Sequence, residues 1–235
     1  MIEVLTHPNK FFEARMKGEE SLKIPVLIVL IAGIIYGISA SLMGYQLNNW
    51  RLHIYFDMLA GKLPTVAAGS PYLLWGFDET ANFISGLIGL LLLWIVFAAV
   101  AFGISCIFKG KGKFKRTLEF VGYGYIPLII GGVVSAIFYT IPIGMYAYPA
   151  TSIPQGTDPT MVGEIIIASL LGSPMMWLFC AICILFTLWS ANIWFFGLKH
   201  ARNLSTRDAL LSVAIPVAIF LSNLLTSFTP FVILM

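Results

Sequence analysis

Five long apolar runs take up most of the chain: about Ile24–Leu47, Thr80–Phe108, Phe120–Ala147, Pro174–Leu198 and Ala209–Leu234. None has an Asp, Glu, Lys, Arg or His in its middle, and Glu79 and Glu119 stand at edges. A helix of about 20 apolar residues crosses roughly 30 Å of hydrocarbon. In lipid each backbone N–H and C=O must find its partner within the segment, so such runs are helical. Composition agrees. The chain is 59% hydrophobic and 11% charged, with a mean hydropathy of +0.90, whereas soluble domains are about 45–50% apolar and about 25% charged. Too little remains for a soluble domain with its own core. The expectation is an all-α membrane protein, a five-helix transmembrane bundle over residues 24–235. The first run follows 23 mixed residues and is too long for a signal-peptide core, so it reads as an uncleaved span.

Residues 1–23 form a separate amphipathic segment. Pro8 can open a short helix that sets Phe11, Phe12 and Met16 on one side and Lys10, Arg15 and Lys17 elsewhere. This reads as an interfacial helix lying on the membrane.

The basic residues orient the bundle. Threading five spans puts the N-terminal segment, loop 109–119 and loop 199–208 on one side. That side holds Lys10, Arg15, Lys17 and Lys23, then Lys109, Lys111, Lys113, Lys115 and Arg116, then Lys199, Arg202 and Arg207: twelve of the 14 basic residues. Only Arg51 and Lys62 fall on the other. The positive-inside rule makes the first side cytoplasmic, with the N-terminus inside and the C-terminus outside. The implied location is the cell membrane, multi-pass. Loop 48–79 is rich in aromatic residues suited to the headgroup zone. Loop 148–172, with Pro149, Pro154 and Pro159, reads as irregular, and residues 163–172 are too short to cross alone.

Small residues recur at helical spacing: Gly33, Gly37, Ser41 and Gly44; Gly131 with Ser135 and Gly132 with Ala136; Ala218, Ser222 and Thr226; and the stripe Cys180, Cys183, Thr187, Ser190. Such faces let helix backbones approach closely, and the same stripes can line a ligand groove. Pro127, Pro142 and Pro216 are expected to kink their helices. Asn192 and Asn223 suit interhelical hydrogen bonds. Together with Tyr123 and Tyr125 they form a candidate polar pocket.

No catalytic or metal constellation emerges, and no cofactor is expected. Cys180 and Cys183 have redox-motif spacing inside an apolar helix, where thiolates are unfavourable and no further ligand is placed. The run Lys109–Arg116 lacks the spaced first glycine and the Ser/Thr of a phosphate loop. An intramembrane serine protease needs a His on a span, and His7, His53 and His200 lie outside the runs. The sequon Asn203-Leu-Ser205 falls in an expected cytoplasmic loop. The absence of mid-span charge disfavours proton pumps and voltage sensors.

The strongest local signal is five positive charges in eight residues, Lys109, Lys111, Lys113, Lys115 and Arg116. Beside anionic lipid each is worth about 1 kcal/mol. The cluster either sets topology alone or binds lipid or a partner; nucleic acid is not expected at a short loop pinned to the bilayer.

Three stretches resemble prokaryotic Yip-domain proteins: Pro8-Asn-Lys-Phe-Phe12 ahead of the first span; Gly122-Tyr-Gly-Tyr-Ile-Pro127 after a basic loop; and Trp189–Leu198 followed by Lys199-His-Ala-Arg-Asn-Leu-Ser-Thr-Arg-Asp-Ala209. The resemblance implies a five-span bundle with a cytoplasmic N-terminus. Eukaryotic members interact with prenylated Rab GTPases, but this chain has no long polar N-terminal region and the GTPase partnership is not carried over. The functional expectation is a non-enzymatic membrane protein that organises membrane or recruits lipids or partners at its cytoplasmic face. Its partners would be membrane lipids, other membrane proteins or further copies of itself. The alternative is a small transporter or channel for a neutral or lipophilic solute.

Overall fold

A computed structural model describes residues 2–59, 79–141 and 173–226. Among these residues the regular structure is entirely helical: α1 (Ile2–Thr6), α2 (Pro8–Met16), α3 (Lys23–Leu59), α4 (Glu79–Ile107), α5 (Phe114–Tyr123), α6 (Ile126–Phe138), α7 (Pro174–Arg202) and α8 (Thr206–Thr226). Among the described residues four stretches are long and apolar enough to cross a membrane: Lys23–Gln46, Glu79–Ile107, Phe114–Phe138 and Pro174–Arg202. The fifth apolar run lies on α8 as far as Thr226 and then continues outside the described residues. So do Pro142, residues 163–172 and most of loops 48–79 and 148–172.

The outer surface is apolar. Leu27, Ile31, Ile34 and Ile38 of α3 are exposed, as are Ile84, Ile88, Leu92 and Ile95 of α4, Leu185 and Leu188 of α7, and Ile215 and Ile219 of α8. A continuous girdle of this kind is unfavourable in water and suits contact with acyl chains.

Where helices meet, small residues set the distance. α3 packs most extensively on α4. A Cβ added at Gly37 would meet the Phe83 carbonyl oxygen at 2.7 Å, and one at Gly86 would meet Gly37 Cα at 2.8 Å. The two backbones therefore touch, as the small-residue spacing on α3 predicts. On α6, Gly132 faces Ile35 and Tyr36 of α3, while Gly131 faces the Phe186 ring of α7. Ser39 Oγ lies 2.9 Å from the Ile35 carbonyl and 3.0 Å from that of Gly132, so its proton joins α3 to α6.

The third apolar run is two helices. α5 ends at Tyr123, Gly124 and Tyr125 make a turn, and Pro127 enters the first turn of α6. Proline is favourable there because the missing N–H has no helical partner to lose. The indole of Trp194 occupies the space a Gly124 side chain would need. Its Nε1 donates to the Val121 carbonyl at 2.8 Å, and Trp94 Nε1 donates to that of Leu118 at 3.0 Å.

The first apolar span ends at Gln46, close to the Leu47 that the sequence gives, but its helix runs on: α3 continues to Leu59, because residues 48–59 contain no glycine or proline to stop it. The N-terminal segment is two short helices, and part of its apolar side is packed against protein. Val4 and Phe12 are fully buried, while Met16 is exposed. α2 packs on α7, and Phe12 belongs to the core.

Candidate functional site

α7 ends with Arg202, and Asn203 takes the left-handed conformation that caps the helix (φ 49°). The Leu204 N–H returns to the Lys199 carbonyl at 3.0 Å, the C-terminal capping bond that left-handed residues permit. Ser205 then opens α8, its Oγ accepting from the Asp208 N–H at 3.2 Å. This tight reversal fixes Arg202 beside the basic loop.

Around that guanidinium the loop is folded. Nε of Arg202 donates to Ser105 Oγ at 2.8 Å. Nη2 donates to the Gly110 carbonyl at 2.7 Å and to Cys106 Sγ at 3.3 Å, and Nη1 donates to the Gly112 carbonyl. The guanidinium carbon lies 4.1 Å from the centroid of the Phe102 ring, within cation–π range. In return the Lys111 N–H donates to the Arg202 carbonyl at 2.7 Å. Gly112 sits at φ +122°, and its Cα lies against the Ala201 carbonyl, so only glycine suits that place. The five-donor fork of arginine matches several carbonyls at once.

The clamp leaves Lys109, Lys111, Lys113 and Lys115 exposed. Arg116, the fifth charge of the cluster, is buried and differently engaged. Its Nη1 lies 3.0 Å from Glu119 Oε2, its Nη2 donates to the Gly18 carbonyl at 2.7 Å, and its Nε is 3.9 Å from Glu20. Glu119 is fully buried. It also accepts from Arg15 at 2.8 Å and from the Ser21 N–H at 3.3 Å. A buried carboxylate is tolerated only with such partners, and these ones fasten residues 15–21 to α5.

Aromatic rings complete the latch. Phe12 lies 4.7 Å from Phe120 and 6.2 Å from Tyr123, and Phe11 lies 5.1 Å from Tyr123. Gly197 of α7 leaves room for the Phe12 ring. Asn9 Oδ1 is 2.8 Å from His200 Nε2.

The residues of the candidate polar pocket are dispersed. Tyr123 is covered by Phe11 and Phe12. Tyr125 is buried beside Trp194, ring centroids 5.7 Å apart. Asn192 is exposed on the α7 face that carries Leu185 and Leu188, and the Asn223 side chain lies outside the described residues. Sequence reasoning placed Glu119 at a span edge and missed its pairing. The i,i+3 spacing from Arg116 was the available signal; Arg15, 104 positions away, gave none.

The Yip1 domain model matches residues 2–226. An uncharacterised protein of the archaeon Methanocaldococcus jannaschii is 37% identical over 146 residues, covering 62% of this chain and 89% of that protein. No solved structure matches the chain. With its apolar helices and a match over nearly its whole length, the chain belongs to the Yip1 domain family of multi-pass membrane proteins.

Proposed function

We propose that this protein is a non-enzymatic, five-span protein of the cell membrane that gathers anionic lipid headgroups at its cytoplasmic face through the loop Lys109–Lys115. Five spans with the N-terminus inside put twelve of the 14 basic residues on that face, and the helical, apolar start of the fifth run in α8 supports that count. The single observation that carries the reading is the Arg202 clamp. It spends a guanidinium on neutral loop carbonyls and leaves four lysines exposed on a fixed backbone. A fixed loop loses less entropy on binding than a mobile one. Each lysine close to an anionic leaflet gains about 1 kcal/mol, and salt screens the gain within about 10 Å at 0.1 M. Arg116, committed to Glu119, takes no part.

The test is anionic-lipid enrichment around the purified full chain in nanodiscs of mixed phosphatidylglycerol and phosphatidylcholine, measured by energy transfer from tryptophan to labelled lipid. Replacing Lys109, Lys111, Lys113 and Lys115 by Gln is expected to abolish the preference for phosphatidylglycerol. Raising salt is expected to do the same for the unaltered protein. A preference unchanged by both would refute the proposal.

A further inference from the structure

Two polar side chains on the outer, apolar faces of the helices are satisfied within their own helix. Ser85 of α4 and Ser222 of α8 are exposed, and each donates to the carbonyl three residues back, at 2.9 Å and 2.8 Å. Asn192 of α7 is different. Its side chain is exposed, and among the described residues its carboxamide has no hydrogen-bond partner. It stands about 15 Å along the helix axis from Arg202, within the apolar stretch Pro174–Arg202. Acyl chains offer an amide neither donor nor acceptor, so an unpaired one at that depth is unfavourable.

The residues in line with it form a seam. Leu178, Ala181, Leu185, Leu188 and Asn192 follow one another at alternating steps of three and four, and all five are exposed. This is the 3.5-residue repeat along which two helices pack knobs into holes. Leu178, Leu185 and Asn192 take one of its two core positions, and Ala181 and Leu188 take the other. Leu178, Leu185 and Leu188 are each more than half exposed, so the seam is open in the single chain. An asparagine at one place in such a row fixes register and the number of strands, and a small residue such as Ala181 lets backbones approach.

We propose that this seam of α7 is the interface between two copies of the chain, related by a twofold axis along the membrane normal and joined by a hydrogen bond between their Asn192 side chains. Complementarity selects the occupant. A carboxamide carries both donors and an acceptor, so it pairs with an identical group, and a twofold contact brings a residue near the axis to its own copy. Copies inserted in one orientation present α7 in parallel, which sets the two Asn192 residues level. Acyl chains cover the four apolar residues of the seam but leave the amide unpaired; a second copy covers the seam and pairs the amide. The interface uses none of the exposed lysines and stands whether or not lipid enrichment is observed.

The test is photo-crosslinking of the purified full chain in liposomes of phosphatidylglycerol and phosphatidylcholine at falling protein-to-lipid ratios. Benzoylphenylalanine in place of Leu188 is expected to give a dimer band. The same probe in place of Ile88, on the exposed face of α4, should give lipid adducts alone. Energy transfer between donor- and acceptor-labelled copies then reads the affinity. Asn192→Leu is expected to raise the dissociation constant about tenfold, the worth of one interhelical hydrogen bond in lipid, and Asn192→Gln, which keeps the amide, should recover most of that loss. At the lowest protein-to-lipid ratio, where the chain is monomeric, Asn192→Leu should melt no earlier than the unaltered protein, so the loss is one of association and not of fold. The variant with Lys109, Lys111, Lys113 and Lys115 replaced by Gln should dimerise like the unaltered chain, which separates this interface from the lysine loop. Three outcomes overturn the proposal: lipid adducts alone at position 188, equal dimer yields from positions 188 and 88, or an Asn192→Leu variant that associates as tightly as the unaltered chain.

Discussion

Arg202 and Arg116 lie at the same end of the bundle, both buried, and their charges meet opposite fates. Arg116 faces carboxylates, Glu119 and Glu20, and with Arg15 it forms a cluster of two positive and two negative charges. Arg202 faces neutral oxygens, a thiol and an aromatic ring. Its hydrogen-bonding capacity is used while its charge is not cancelled. One cluster consumes charge to hold an element in place, and the other holds an element in place while its field adds to that of four exposed lysines.

This contrast can be broken at either end, and the effects should rank. The largest belongs to Glu119→Ala, which leaves buried Arg116 and part-buried Arg15 without their shared carboxylate. Removing one partner of a buried pair costs about 3–5 kcal/mol. The partial exposure of Arg15 favours the lower figure, read by thermal unfolding in detergent, with α2 becoming labile to hydrogen exchange. Next, Arg202→Lys keeps the charge and loses the fork. About 2 kcal/mol is expected, since two or more hydrogen bonds from a charged group cannot be replaced by one ammonium. The matching signature is faster amide exchange at Lys111, whose N–H donates to residue 202. Third, Arg15→Gln should cost about 1 kcal/mol, because Glu119 keeps Arg116 and the Ser21 N–H. The smallest effect on stability belongs to the four exposed lysines together. Their replacement by Gln should move the midpoint little, by about 0.5 kcal/mol for all four together, because effects at exposed sites scatter around zero, while removing lipid preference. A quadruple variant that unfolds as readily as Arg202→Lys would erase the distinction between clamp and platform.

The sequence made some of this legible and hid the rest for physical reasons. Apolar runs without charge announce membrane helices directly, because the bilayer imposes the same requirement at every position along a span. The glycine pairing of α3 with α4 was readable because close approach needs small residues on one face, and Gly33 and Gly37 supply it. The break after Gly124 was half readable: Pro127 marked a disturbance, but its place in a first turn depends on Trp194, nearly 70 residues away. Glu119 was opaque for the same reason. A carboxylate at a span edge looks solvated until Arg15 and Ser21 fold over it, and nothing local to residue 119 encodes their arrival. The amphipathic pattern of residues 8–16 is visible in the sequence, but an apolar stripe fits a protein groove as well as a lipid surface, and the room that Gly197 leaves for Phe12 is not encoded nearby.

The length of α3 has a mechanical consequence. Its 37 residues make a rod of about 55 Å at 1.5 Å per residue, against a hydrocarbon thickness of about 30 Å. The portion after Gln46, where the candidate span ends, therefore prolongs the helix at the end away from the lysines. The two ends of the described helices thus differ in build: at one, a short loop is folded back against the helix ends, and at the other a single helix carries on for about 20 Å past its apolar stretch.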